Sequence, residues 1–280
     1  MAKKIKCGIS IANFGITKDP QDYVNLAIIA EENGWDGFFL WDHIYLSSDD
    51  KQPFLDPWIT LTAIACNTIT MKLGTMVTPL PRRRPWKVAK EIITLDHLSK
   101  GRVILGVGLG VDPDFNEFGE NSDPIIRGQK LDESLEIIKG LWSSESFSYQ
   151  GKHFKIKEMQ LYPKPFQDKI PIWIAGTWSN KKPFRRAARY DGVFPLRVGF
   201  EEPLYPNDYE DILNYMKQFR KSFDSYDVVK TIVTTGIEKE DEWIFDFLDI
   251  GVTWFLESIW PERDSLENIK KIIARGPPSL

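Results

Sequence analysis

Short, nearly continuous apolar runs alternate along the chain with longer segments whose apolar residues recur at a helical period. Eight of the short runs have the length and the apolar content of strands that are buried on both faces. These runs cover residues 4–12, 36–42, 72–78, 102–109, 171–176, 191–196, 226–236 and 253–259. Helices are expected near 20–33, 56–67, 85–98, 125–142, 180–190, 207–222, 238–249 and 264–274. This alternation is typical of βα units around a parallel sheet, and eight such units predict a closed (β/α)8 barrel of the TIM type.

Helix ends and one irregular segment refine this organisation. The Asp-Pro pairs at 19–20 and 56–57 are typical of an N-cap followed by proline at the first helical position. Residues from about 110 to about 170 interrupt the alternation, and within them a hairpin is expected to turn near 150–151. We therefore expect a single α/β barrel domain over residues 1–280, with a small insertion after strand 4.

The composition narrows the class of partner. The formal net charge is -4 and the pI is near 5.6, so the surface lacks the positive charge that neutralises nucleic-acid phosphates. No apolar run approaches the about 18 residues that a membrane-spanning helix needs. Cys7 and Cys66 are the only cysteines and both lie in apolar segments, which predicts two buried, reduced thiols and a cytoplasmic location. The expected partner is a small-molecule substrate, with neither nucleic acid nor a membrane.

Candidate catalytic residues are sought at the carboxyl ends of the strands, where active sites form in barrels of this architecture. His43 follows the second strand, and an imidazole there can donate or accept a proton near neutral pH. The alternative is a structural histidine that bonds a loop carbonyl. His97 and His153 lie in a helix and in the hairpin, where structural roles are expected. The scattered histidines and cysteines form no set of ligands at zinc spacing, so no metal is predicted.

Two glycine-containing segments and one basic run offer binding chemistry. Gly106–Val111 lacks the Gly or Ala that a dinucleotide fingerprint needs at its last position, so its glycines are expected to admit a flat ligand or a neighbouring strand. The loop 176–180 leads from a strand into a helix, where free N–H groups favour a phosphate. An ordinary N-cap at Ser179 or Asn180 is the alternative. The run Arg82–Lys87 fits either an anionic substrate or a solvated helix start.

Several stretches, taken in order, resemble the luciferase-like monooxygenase family. They include GWDGFFLWDHI, DPWITLTAIA, LGTMVTPLPRRRPWKVAKEIITLDHLSKGRVILGVGLG, KLDESLEIIKGLW and PKPFQDKIPIWIAG, and they extend over nearly the whole chain. The resemblance implies a barrel with an insertion after strand 4, a flavin or the deazaflavin F420 lying across the strand ends, and oxidoreductase chemistry. Family members are often dimers, so a homodimer is expected.

Matched residue by residue, the resemblance implies a set of cofactor contacts. A non-prolyl cis peptide at Met76-Val77 would support one face of the ring, and the loop 176–180 would hold the phosphate. The pair Asp42-His43 would lie beside the reactive ring, with His43 as the catalytic residue. Together with other strand-end positions, the candidate cofactor-binding residues are Asn13, Asp42, Met76, Val77, Thr78, Gly108, Gly176, Thr177, Trp178, Ser179 and Asn180. The candidate substrate contacts, just past strand ends, are Tyr45, Arg197 and Trp260.

Three functions are compatible with this resemblance. The first hypothesis is a flavin-dependent monooxygenase in which reduced FMN and O2 oxidise a small organic substrate. The alternative is an F420-dependent reductase or dehydrogenase that transfers a hydride to or from such a substrate, and a second alternative is a flavin-binding protein without turnover. Leu109 stands where luciferases carry an arginine for the FMN phosphate, and the chain is shorter than theirs. Both departures weaken the oxygenase hypothesis and favour F420.

Overall fold

The predicted strands close on themselves, and most of their residues are buried. The computed structural model describes residues 5–47, 51–143, 145–199, 202–237, 241–263 and 265–278. Its strands are β1 (Lys6–Ile11), β2 (Gly37–Leu40), β3 (Lys72–Pro79), β4 (Val103–Gly108), β5 (Phe147–Gln150), β6 (Lys155–Met159), β7 (Ile172–Trp178), β8 (Gly192–Arg197), β9 (Asp227–Ile232) and β10 (Trp254–Ile259). Eight of them form a closed barrel of parallel neighbours in the order β1-β10-β9-β8-β7-β4-β3-β2. The predicted (β/α)8 barrel is confirmed.

Helices alternate with these strands along the chain. They are α1 (Pro20–Glu32), α2 (Pro57–Asn67), α3 (Pro85–Leu98), α4 (Pro113–Asn116), α5 (Pro124–Trp142), α6 (Lys181–Ala187), α7 (Pro206–Met216) and α8 (Leu266–Ala274), with 3₁₀ helices at Leu80–Arg82 and Glu242–Phe247. The two predicted N-caps are confirmed. The Asp19 carboxylate accepts a hydrogen bond from the Gln21 N–H at 2.9 Å, and the Asp56 carboxylate accepts one from the Ile59 N–H at 2.8 Å.

One predicted helix, over 238–249, differs from the structure. Residues 238–240 lie outside the described residues, and Glu242–Phe247 forms a 3₁₀ helix rather than an α-helix. The Asp241 carboxylate before it accepts hydrogen bonds from the N–H groups of Thr235 and Gly236 at 3.0 and 3.1 Å. Geometry of the 3₁₀ type is common in short connecting pieces such as this one before β10.

The irregular segment between β4 and β7 contains the predicted hairpin. Strands β5 and β6 pair antiparallel, and the Gly151 N–H donates to the Phe154 carbonyl at 2.9 Å, so the turn near 150–151 is confirmed. Helix α5 also falls within the predicted insertion at about 110–170 and packs against α3. The irregular chain therefore lies on both sides of a regular helix of the barrel.

The inside of the barrel is filled by large side chains near the amino ends of the strands. Phe39, Trp173 and Trp254 meet with ring centroids 5.2 to 5.8 Å apart. Their inner cluster continues with Met76, Ile104, Phe194, Val229 and Leu256, and it is bordered by the partly buried Val77, Ala175 and Leu196. Large buried side chains thus occupy this part of the interior, and in barrels of this architecture active sites form at the carboxyl ends of the strands.

The two cysteines have different environments. Cys7 is buried, and burial, together with the charges of Asp36 and Glu257, raises the pKa of its thiol to about 12. Cys66 is exposed, so the prediction that it is buried is wrong. The reason is that Cys66 lies on the outer face of α2, which is apolar although it points away from the barrel. Both thiols are free.

None of the helices in the described part of the chain has both the length and the apolar content needed to cross a membrane.

Candidate active site

His43 lies at the carboxyl end of the barrel, immediately after β2, and its main chain is held by Asn13. The Asn13 side-chain amide donates to the carbonyls of His43 and Leu55 at 2.8 and 2.7 Å. Its oxygen accepts from the His43 N–H at 3.1 Å. Asn13, predicted to bind the cofactor, is 1% exposed and directs these three bonds to the backbone. It therefore fixes the position of His43.

The His43 ring is paired with a carboxylate that comes from a distant part of the chain. Its Nδ1 lies 3.0 Å from Oδ2 of Asp114 in α4. The Asp114 side chain is fully buried, whereas that of His43 is 21% exposed. The other carboxylate oxygen of Asp114 accepts from the Ile44 N–H at 3.0 Å. Among the described residues, no hydrogen-bond partner is found for Nε2 of His43, and this nitrogen is the reactive atom that the ring can offer to a ligand.

Arg82 connects this pair to Asp42. Its Nη2 donates to Oδ1 of Asp42 at 2.7 Å, and its Nη1 lies 3.0 Å from Oδ1 of Asp114, as an ion pair without hydrogen-bond geometry. Arg83 lies 3.6 Å from the other oxygen of Asp42 and donates to Glu91 at 2.7 Å. The side chain of Arg82 is only 8% exposed. The sequence suggested an anionic substrate or a solvated helix start for the run that begins at Arg82. Arg82 itself has neither role, because its buried guanidinium pairs with Asp42 and Asp114.

The pKa values of the two buried carboxylates in this network are shifted in opposite directions. Burial alone raises the pKa of Asp114, but the hydrogen bond and charge of His43, the Ile44 N–H and Arg82 together hold its pKa below the ordinary value. Burial raises the pKa of Asp42, against the opposing effects of Arg82, Arg83 and Thr78. Asp114 is therefore the carboxylate that stays ionised next to the histidine at neutral pH.

Strand β3 changes its pairing where the cofactor contacts were expected. The Met76-Val77 peptide is cis, as the resemblance implied, and a second non-prolyl cis peptide lies at Trp178-Ser179. The pairing of β3 with β4 shifts between Thr75 and Thr78. The Thr78 hydroxyl is fully buried, donates to Oδ2 of Asp42 at 2.7 Å and accepts from the indole N–H of Trp58. Thr78 and Asp42 are thus buried in a polar network, whereas the partly buried Val77 packs on the inner apolar cluster.

The glycines of β4 are required by the neighbouring strand. A Cβ on Gly106 would lie 2.1 Å from the Thr75 carbonyl oxygen, and a Cβ on Gly108 would lie 2.8 Å from a methyl carbon of Val77. Of the two expectations for this segment, the close approach of a neighbouring strand is the one that these contacts support.

The loop 176–180 forms a tight turn at the end of β7. A Cβ on Gly176 would lie 2.3 Å from Cβ of Pro183, so this glycine lets α6 pack on the strand. The Asn180 N–H and side-chain amide donate to the carbonyl and hydroxyl of Thr177 at 3.0 and 2.9 Å. Asn180 occupies the N-cap position of α6 without a side-chain cap bond, and both Ser179 and Asn180 are exposed.

The three candidate substrate contacts have neighbours of their own. The Tyr45 ring meets Phe118 edge-on at 6.1 Å, and the Arg263 guanidinium lies 5.8 Å from the ring centre of Trp260. Arg197 forms an ion pair with Asp208 at 2.6 Å and donates to the Pro203 carbonyl. Arg197 thus anchors the chain that follows β8, and a substrate role for any of the three stays a prediction.

Aromatic side chains form one wall beside His43. The Phe14 and Trp41 rings lie edge-on to the imidazole, with ring centroids 5.7 and 6.3 Å from it. The Trp41 indole N–H donates to the Ser10 hydroxyl at 3.0 Å, and Phe14 stacks on Phe54. These two aromatic rings thus place apolar surface against the His43 imidazole.

The other two histidines have partners outside the strand ends. His97 Nε2 lies 2.8 Å from the Lys164 carbonyl, and His153 Nε2 lies 3.0 Å from the Gln129 side-chain oxygen. Both contacts fit the structural roles expected of these histidines. Within the described ranges, no group of three or more His, Cys, Asp or Glu side chains could hold a metal ion.

Sequence reasoning missed Asp114 and the structural role of Arg82. Asp114 follows β4 directly, in the run Asp112-Pro113-Asp114, and a carboxylate at a strand's carboxyl end was the available signal.

The structure is thus a closed parallel barrel with a histidine–aspartate pair at the carboxyl ends of its strands. The sequence model of the luciferase-like monooxygenase family matches residues 6–234. The chain belongs to this family.

Three known proteins show what the chain is similar to. An F420-dependent glucose-6-phosphate dehydrogenase from Microbacterium testaceum is 34% identical over 190 residues, which is 66% of this chain but only 55% of that protein. An F420-dependent secondary alcohol dehydrogenase, solved with an F420–acetone adduct, superposes with a TM-score of 0.78 at 18% identity, over 98% of this chain and 99% of its own. A monooxygenase from Streptomyces bottropensis gives 0.77 at 17% identity, over 96% of each chain. At these identities the two structures show the fold alone.

We predict that Asn13→Ala lowers the free energy of unfolding by about 2 to 3 kcal/mol, because it leaves buried backbone groups without partners. Chemical denaturation measures this loss, and hydrogen exchange should increase at residues 42–44. Asn67→Ala is the matched control, since the Asn67 amide bonds a helix carbonyl at the exposed end of α2. Equal losses in the two variants would contradict the assigned role of Asn13.

Proposed function

We propose that the protein is an F420-dependent oxidoreductase that transfers a hydride between the deazaflavin and a small organic substrate, while His43 exchanges the accompanying proton. The observation that carries this proposal is the geometry of His43. Its Nδ1 is bonded to a buried carboxylate, and its Nε2 is the ring nitrogen left for a ligand at the carboxyl end of the barrel. A group of this kind handles protons near neutral pH.

The residues at the strand ends fit a flat, phosphate-bearing cofactor. Val77, Ala175 and Leu196 provide apolar surface above the packed interior, suited to one face of a ring system. The turn 176–180 would hold a phosphate, with exposed Ser179 and Asn180 at the start of α6. When bound, the deazaflavin supplies a carbon atom that accepts or gives a hydride.

The chain's own residues position the substrate and move its proton. Asn13 holds the main chain of His43, so the imidazole keeps its place at the mouth of the barrel. Nε2 accepts the proton of a substrate hydroxyl when the substrate is oxidised and returns it when a carbonyl is reduced. Phe14 and Trp41 exclude water from one side of the ring.

The choice of F420 over FMN rests on two further observations. The curated relative described above is F420-dependent, although the match covers little more than half of its length. Leu109 also stands where luciferases carry an arginine for the FMN phosphate.

A monooxygenase that uses reduced FMN and O2 is the second candidate, and membership of the luciferase-like family favours it. Its oxidising chemistry would need protection from water, which the aromatic wall beside His43 would contribute. A flavin-binding protein without turnover is the third candidate.

Separate titrations of the purified protein with F420, FMN and FAD test this choice. We expect F420 to bind at least about tenfold more tightly than FMN, a difference of about 1.4 kcal/mol. Tighter binding of FMN, with O2 consumption in the presence of a reductant, would favour the monooxygenase instead. Binding of F420 without reduction or oxidation by any of a panel of alcohols and carbonyl compounds would favour the non-catalytic candidate.

We also propose a homodimer in a reducing cytoplasm. The outer face of α2 supports the dimer, because its exposed Ile59, Thr62 and Cys66 carry no charge. The free thiols of Cys7 and Cys66 support the location in a reducing cytoplasm. Light scattering should give the mass of two chains, and Ile59→Asp should shift it toward one; a single-chain mass for the unmodified protein would contradict the dimer.

We predict that His43→Ala slows turnover about 10²-fold or more while F420 affinity stays nearly unchanged, because the variant loses a proton-transfer group but no surface that holds the ring. Steady-state rates and F420 fluorescence titration measure the two effects. His97→Ala is the matched control and should retain its rate, since His97 bonds the Lys164 carbonyl. Normal turnover of the His43 variant would show that the proton is handled elsewhere.

A further inference from the structure

We propose that Asp114, held by Arg82, is a positioning residue that fixes His43 in the tautomer with its hydrogen on Nδ1, so that Nε2 is the proton acceptor. The consequence for catalysis rests on the function proposed above, whereas the tautomer itself does not. The proposal concerns the free protein and is testable without cofactor or substrate.

The hydrogen-bond inventory around Asp114 determines the direction of the His43 contact. An ionised carboxylate can only accept hydrogen bonds. Nδ1 of His43, 3.0 Å from Oδ2 of Asp114, must therefore carry the hydrogen. A neutral imidazole has a single N–H, so Nε2 is left with a lone pair.

Donors on the other side keep Asp114 ionised and oriented. The Ile44 N–H donates to Oδ1 at 3.0 Å, and Nη1 of Arg82 lies 3.0 Å from the same oxygen. These groups, together with His43, also lower the pKa of Asp114 against the effect of burial. The carboxylate therefore has one oxygen committed to the backbone and the arginine, and one oxygen directed at the histidine.

Arg82 is fixed in turn by the side chain of Asp42 and, through it, by Thr78. Its Nη2 donates to Asp42 at 2.7 Å, and Asp42 accepts the Thr78 hydroxyl at 2.7 Å. The orientation of the imidazole is thus linked to the end of β3 through two buried ion pairs. A hydrogen-bonded carboxylate that is itself held by other polar groups is a common means of keeping a histidine in one tautomer.

Proton transfer follows from this arrangement. The proton that leaves a substrate hydroxyl binds to Nε2, and the resulting imidazolium keeps its other N–H on Asp114. The carboxylate lies 3.0 Å from Nδ1 and stabilises this positive charge by Coulomb attraction. Return of the proton restores the neutral tautomer without movement of the ring.

Asp114→Asn should reverse the tautomer rather than merely weaken a contact. The Ile44 N–H donates to Oδ1 of Asp114 and the positive charge of Arg82 lies beside this oxygen, so the amide oxygen must face them. The NH2 group then faces Nδ1 of His43 and donates to it, which moves the ring hydrogen to Nε2. A substrate hydroxyl would find a donor where the native enzyme offers an acceptor.

The test is ¹⁵N NMR of the imidazoles in the cofactor-free protein, at a pH where the ring is neutral and with His43→Gln to assign the signals. We expect Nδ1–H in the native protein and Nε2–H in Asp114→Asn. Asp112→Asn is the matched control, because Asp112 lies two residues away, is 65% exposed and pairs with Arg127 at 2.6 Å. This control should keep the native tautomer. If the native His43 ring carried its hydrogen on Nε2, the proposal would be overturned. The measurement on the native protein depends on the folding of one variant only, the His43→Gln protein used to assign the signals.

Kinetics provide the second measurement. We expect Asp114→Asn to slow turnover about 10²-fold or more with F420 affinity retained, and Asp112→Asn to keep its rate. Combined with His43→Ala, the Asp114 substitution should cost nothing further, because the two residues act as a unit. If the two rate losses multiplied in the double variant, Asp114 would act independently of His43, and the proposal would be overturned. The expected tautomers without any F420 turnover would refute the proposed function and leave the positioning role standing.

Discussion

The guanidinium of Arg82 lies between two buried carboxylates that reach it from different parts of the barrel. Asp42 follows β2, Arg82 follows β3 and Asp114 follows β4, and these three strands are neighbours in the sheet. These charges are shielded from water, so the two carboxylates depend on Arg82 for compensation and Arg82 depends on them. The position of any one of these strand ends is therefore tied to the positions of the others.

The barrel supplies the geometry that this cluster needs. Between Thr75 and Thr78, three steps along β3 correspond to two along β4, from Leu105 to Val107. Such an extra residue shifts which side chains face a neighbour. Thr78 thereby turns its hydroxyl toward Asp42, while Val77 packs on the inner apolar cluster. One irregular pairing thus separates a buried polar network from the apolar surface on which a ligand ring would lie.

The fold could be predicted from sequence because strands buried on both faces appear as short continuous apolar runs, and Asp-Pro pairs mark helix starts through local chemistry. The position of His43 followed from the same pattern. The same pattern makes Asp114 a strand-end candidate, but it could not pair Asp114 with His43, since 71 residues separate them and only the closed barrel brings the two together. Cys66 was misassigned because apolar character predicts burial only when the helix face is directed at the core.

Burial of the charged side chains of Asp42, Arg82 and Asp114 costs free energy, so their presence in the barrel needs an explanation other than stability. Removing each ion from water costs several kcal/mol, and pairing offsets this cost only in part, so apolar packing at the same place would serve stability as well or better. What apolar packing cannot supply is a carboxylate that must accept a hydrogen bond from one nitrogen of an imidazole. Asp42 holds Arg82, and Arg82 lies 3.0 Å from Asp114, so both support the charge and the orientation of the carboxylate that bonds the His43 ring. The arrangement is thus better explained by the chemistry of His43 than by the stability of the barrel.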